Sequence, residues 1–165
     1  MRYFLLVNLL IISNLLHSQN TQVIGETIFS LVKQVRKDSC IKSEIVMNKS
    51  LCEAAKIQAE YILNSGNVTH DNPNDGHTRV GDRVRKFGYK NGAKENITYL
   101  DYNKESDDSL GGEAVNNFIK SRPHRYTLLS GDELKIPSKT EYGQSILYDK
   151  QREKIIVVQV FLQRF

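Results

Sequence analysis

Tryptophan is absent from the 165 residues, proline occurs only 3 times and cysteine only 2 times. Two cysteines are too few for a disulfide-built miniprotein, and they exclude a four-thiolate zinc site. So few prolines, with only 10 glycines, exclude collagen-like and low-complexity chains. Without tryptophan, and with the tyrosines dispersed, the chain shows no aromatic platform for bases or sugars. Neither sign of charge dominates, since 23 Lys and Arg stand against 19 Asp and Glu for a formal net charge of +4. That excess favours solubility and weak attraction to anionic surfaces, but it is small for a nucleic-acid binder, so no nucleic-acid partner is expected. No apolar run reaches the ~20 residues of a membrane-spanning helix, so no transmembrane segment is expected. What remains is 39% hydrophobic and 25% charged residues, enough apolar mass for the core of one domain.

Met1 and Arg2 precede an apolar run from Tyr3 to Leu16 that is interrupted at Asn8, Ser13 and Asn14. A charged start and a short apolar run are the layout of a secretory signal peptide, with small Ser18 as the last residue before cleavage. The expected organisation is a signal peptide over 1–18 and one exported, soluble domain over 19–165. A retained first helix is the other reading. Export permits a disulfide between Cys40 and Cys52, which flank what reads as the joint between two helices. A bridge closing so short a loop would contribute roughly 3 kcal/mol by the chain-entropy account. Otherwise the two thiols pack as small hydrophobes. Sequons at Asn48, Asn67 and Asn96 are about what the Asn, Ser and Thr content supplies by chance.

Ile24, Ile28, Leu31, Val32 and Val35 recur at helical spacing and predict a first helix ending near Lys37 to Cys40. Ser50 and Glu53 form a capping-box pair that would open a second helix, lined by Leu51, Ala55, Ala59 and Ile62 and stopped at Gly66. Residues 67–76 are dense in turn formers. Val80, Val84 and Phe87 predict a short third helix closed by Gly88. Glu95 to Leu100 reads as extended, Asp101 to Gly112 as a polar surface loop, and Ala114 to Ile119 as a fourth helix ended by Pro123. Tyr142 to Tyr148 and Lys154 to Phe161 read as a closing hairpin. Helices first and antiparallel strands last argue an α+β fold.

Beyond the leader, histidine occurs only at His70, His77 and His124. None lies in a compact motif such as H-E-x-x-H, so spacing alone identifies no metal site, and each reads as a surface or hydrogen-bonded side chain. Glu95 reads as a solvated carboxylate at a strand start. Ser121 and His124 make a weak nucleophile–base pair, with Pro123 between them and no adjacent carboxylate. Arg79, Arg83 and Lys86 share a helical face that reads as solvated or as an anion-binding stripe.

Taken in order, the segments resemble the CAP superfamily, also called the SCP domain, and within it the small bacterial members. The resemblance covers about Ile24 to Phe161. It rests on the helix Leu51 to Leu63 leading to His70, and on Arg83 five residues before Gly88-Tyr89. It continues through Ala93-Lys94-Glu95-Asn96-Ile97, Phe118-Ile119-Lys120-Ser121-Arg122-Pro123-His124-Arg125 and the strand Val157 to Phe161. Lys94 stands where the family has Gly, Phe118 where it has Trp, and no second glutamate accompanies Ser121. The resemblance implies a three-layer α-β-α sandwich around a central antiparallel sheet. It also implies a cleft of His70, Glu95, Ser121 and His124, in which His70 and His124 would hold zinc or another divalent cation weakly. Two function classes follow. The first is a secreted binding or interaction module for a small apolar ligand or an extracellular protein. The alternative is a metal-assisted, peptidase-like hydrolase with Glu95 as base, which the missing second carboxylate disfavours.

Overall fold

The computed structural model describes residues 2–76, 78–90, 92–102, 107–129 and 139–164, of which 2–19, Asp75 and Arg164 are described by backbone alone. In chain order the helices are α1 (Arg2–Asp38), α2 (Lys49–Ser65), α3 (Val80–Arg85), α4 (Asp107–Lys120) and α5 (Arg122–Leu129). The strands are β1 (Glu44–Met47), β2 (Lys94–Asp101), β3 (Lys139–Asp149) and β4 (Lys154–Arg164), and a 3-10 turn spans Asn74–Gly76.

One strand dictates the layering. Along β4, Ile155, Val157 and Phe161 join one apolar core and Ile156, Val158, Val160 and Leu162 join another. This is the alternation of a strand apolar on both faces, and such a strand has to be covered on both. The first face packs on α1 through Ile24, Ile28 and Val32, on α4 through Leu110, Ala114 and Phe118, and on α5 through Leu128. The second packs on α2 through Leu51, Ala55, Ala59 and Ile62, and on α3 through Val84. The result is the expected α-β-α sandwich.

The sheet runs in the order β1-β3-β4-β2. The expected hairpin forms with Tyr142 opposite Phe161 and Tyr148 opposite Ile155. Strand β2 lies antiparallel at one edge, with Glu95 opposite Val160 and Asn96 opposite Gln159. The expectation of a wholly antiparallel sheet is corrected at the other edge, where β1 pairs parallel to β3. Strand β1 leaves no mark in the sequence pattern because its four residues are too few to show a period.

Helix α2 begins two residues earlier than the Ser50–Glu53 pairing predicts. Asn48 is the N-cap, its Oδ1 accepting from the amides of Ser50 and Leu51 at 2.9 and 3.3 Å. Its Nδ2 donates to Tyr89 Oη at 2.7 Å and to Glu141 Oε2 at 3.1 Å. Gly66, at φ 70°, supplies the expected left-handed stop. We expect Asn48→Ala to cost about 1–2 kcal/mol in urea denaturation, the range of a lost cap plus partly buried partners. An unchanged midpoint would contradict this cap.

The polar stretch expected as a loop up to Gly112 is helical from Asp107 onward. Asp107 and Asp108 occupy the first turn, where the helix dipole favours acids, and buried Leu110 extends the Ala114 stripe by one turn. Gly111 permits close approach to α1, since a Cβ there would lie 2.8 Å from Thr27 Cγ2. Pro123 does not end the helical region as expected. The chain kinks at Ser121 and enters α5, with Pro123 in a first turn where its missing N–H costs nothing.

The expected Cys40–Cys52 bridge is corrected too, for both cysteines are free thiols. Strand β1 lies between them where a simple joint was expected, and its four residues at about 3.3 Å each carry the chain onward. Cys40 is exposed at the end of α1, whereas Cys52 Sγ contacts Met47 Sδ at 3.6 Å. Among the described residues no helix is long and apolar enough to cross a membrane.

Candidate functional site

Successive residues of a strand point to opposite faces, and Glu95 and Asn96 of the edge strand β2 use both. Glu95 faces the α2–α3 layer and meets His70, its Oε1 lying 2.9 Å from His70 Nδ1. Asn96 faces the α4–α5 layer and donates from Nδ2 to the His124 carbonyl at 3.1 Å. Two neighbours in sequence thus fix two histidines that the chain separates widely. His70, Glu95 and His124 line one cleft of about 430 Å³ at the start of β2, walled by Val80, Ala93 and Pro123 and flanked by Asp71 and Arg79.

Each histidine is held from behind. The loop after Gly66 is pinned where Gln58 Nε2 donates to the Thr69 carbonyl and where the Asn72 amide donates to Thr78 O at 2.8 Å. Arg83 Nη1 donates to the His70 carbonyl at 3.4 Å. The His124 ring packs edge-on against Phe118, with centroids 5.5 Å apart. Lys94 spans the rim beside it, Nζ standing 4.3 Å from the centre of the Tyr126 ring.

The expected stripe of Arg79, Arg83 and Lys86 is corrected at its middle member, because the Arg83 side chain is fully buried and ion-paired with Glu95 Oε2. Glu95, solvated on a reading of its local sequence, is itself buried with both oxygens engaged, one by Arg83 and one by His70. Ser121 stands at the α4–α5 kink, its amide donating to Asn117 O and its carbonyl accepting from Arg125, and does not line the cleft. His77 lies outside the described residues. Asp71 and Thr127 line the cleft without any sequence motif to mark them, whereas Asn96, which lies in the 93–97 stretch of the resemblance, acts behind it by holding the His124 carbonyl.

The two imidazoles differ in character. The hydrogen bond to Glu95 raises the His70 pKa above the ordinary 6.5, against a smaller opposing effect of burial. Burial lowers that of His124, and the charge of His70 lowers it further. With Nδ1 committed to Glu95, His70 keeps Nε2 as its free donor atom. Among the described residues no group of three or more His, Cys, Asp or Glu is arranged to hold a metal ion.

No family model matches the chain, and no curated protein matches it. Among solved structures it is similar to an outer surface protein from Borrelia burgdorferi, with TM-score 0.68, 19% identity and coverage of 88% of this chain and 96% of that one. It is also similar to an extracellular protein containing an SCP domain from Bacillus anthracis str. Ames, with TM-score 0.62 and 21% identity over 90% of this chain. The chain spans 41% of the length of that Bacillus protein. The likeness is one of fold, and the chain has the SCP-like α-β-α fold that its sequence resemblance implies.

Proposed function

We propose that this chain is an exported binding module whose cleft holds a divalent cation between His70 Nε2 and His124, with a small ligand completing the shell. Export rests on the N-terminal layout, and it accords with two structural neighbours described as an outer surface protein and an extracellular protein. The single observation that carries binding over hydrolysis is the state of Glu95. A general base has to reach the substrate, and the Glu95 side chain is 1% exposed with each oxygen held by a partner inside the protein. What Glu95 does instead is orient His70, as carboxylates behind metal-bound imidazoles do. Zinc or a similar ion would supply a Lewis-acidic anchor for a ligand donor atom, while Val80, Ala93 and Pro123 favour an apolar ligand body.

Calorimetric zinc titration tests this directly. The wild type is expected to bind one equivalent, His70→Ala and His124→Ala to lose about tenfold or more in affinity, and His77→Ala to match the wild type. Affinity falls as pH drops, because a protonated imidazole cannot ligate. The raised His70 pKa puts the onset of that fall above 6.5, while His124 stays neutral to lower pH. Equal binding by all four proteins would overturn the proposal. Chelator-sensitive peptide cleavage lost in Glu95→Ala would restore the hydrolase.

A further inference from the structure

A second concavity, of about 790 Å³, lies at the opposite edge of the sheet from the histidine cleft, between the end of α1 and the start of β1. Its lining includes Lys33, Arg36, Lys37 and Lys42 against the single carboxylate of Glu44. With Arg36 buried beneath the groove, its exposed charges are Lys33, Lys37 and Lys42 against Glu44, a net +2. Cations in the last turn of a helix are expected to offset its dipole, which accounts for Arg36 and Lys37. It does not account for Lys42, beyond the helix end, while Lys33, a turn earlier, stands with Nζ 5.6 Å from the centre of the Phe29 ring.

The groove has a fixed floor. Arg36 is 2% exposed, and its guanidinium donates to Leu128 O at 2.8 Å, Ser43 Oγ at 2.8 Å and Thr140 Oγ1 at 3.0 Å. These bonds tie α1, α5 and β3 together, so the charge is held in place rather than carried on a mobile stem. The Cys40 backbone, at φ 58°, turns the chain from α1 toward β1 and brings Lys42 to the same groove. A non-glycine residue in that region is uncommon and is tolerated where the surroundings fix it.

We propose that this groove binds a compact ligand carrying two or more oxyanion groups of phosphate or sulfate type. Lysine ammonium groups serve as point charges for such groups, and a single carboxylate would neither fill the volume nor balance the charge. The proposal is independent of the histidine cleft.

Exposed Cys40 lines the groove and provides a reporter within the native chain. Inorganic pyrophosphate and a sulfated disaccharide serve as the two probes, with acetate as the monoanion control. One or both probes are expected to bind the full chain, to slow Cys40 alkylation severalfold, and to weaken as salt screens the lysines. Which probe binds identifies the oxyanion class. Lys37→Glu/Lys42→Glu should lose about tenfold or more in affinity, and Lys37→Gln/Lys42→Gln should show a smaller loss with the same thermal midpoint. The proposal is overturned if neither probe binds, if the charge-reversed variant binds equally, or if His124→Ala removes binding while the lysine variants keep it.

Discussion

Replacing Arg83 by methionine should lower the stability of the folded chain by about 3–5 kcal/mol, the usual consequence of removing one partner from a buried ion pair. The Glu95 carboxylate would stay behind, 1% exposed, with one oxygen unpaired in the α2–α3 layer. The pair itself is no strong stabiliser, since two charges taken from water surrender most of what they gain from each other. The double variant Arg83→Met/Glu95→Leu is accordingly expected to recover much of the loss, although it frees His70 from its carboxylate. Urea denaturation of the two variants measures both quantities. A loss below about 1 kcal/mol for the single variant would contradict the buried pairing, because that is the scale of an exposed ion pair.

Gly143→Ala carries an effect of similar size for a steric reason. The α2 start lies directly on β3 there, and a Cβ would fall 2.1 Å from Leu51 C and 2.3 Å from Cys52 N. Both are backbone atoms, so no side-chain rotation relieves the overlap and α2 must shift as a body. Overpacking typically costs 1–3 kcal/mol, and this site should reach about 3 kcal/mol or more. Because α2 also carries Gln58, which pins the loop before His70, the variant should bind zinc more weakly as well. An alanine variant with unchanged denaturation midpoint would show that the helix does not sit as close as described.

Much of the architecture is legible in the chain because its apolar residues keep strict periods. Residues 155–162 alternate on β4, and Ile24, Ile28 and Val32 repeat on α1, so the sandwich follows from the pattern. What the pattern hides is short or polar. β1 has four residues, α5 is polar with a proline at its second position, and the first turn of α4 looks like loop until Leu110 is seen to bury. The three cleft residues His70, Glu95 and His124 come from family resemblance rather than spacing, and the fold brings them together. Arg83 is a landmark of the resemblance, but its burial is illegible because it shares a helical face with exposed Arg79 and Lys86. Nothing local distinguishes a buried arginine from a solvated one. Only the placement of Glu95 opposite it on β2 does so.

The central claim is that one ion is shared by two imidazoles, that of His70 held at its ring by Glu95 and that of His124 held through its backbone carbonyl by Asn96. Isotope-edited NMR of the histidine rings during zinc titration of the full chain at pH 7.5 tests it most directly. The account predicts that the His70 and His124 signals move together and saturate at one equivalent of zinc, with His77 unmoved. Zinc that shifts neither ring, or only one of the two, would contradict it.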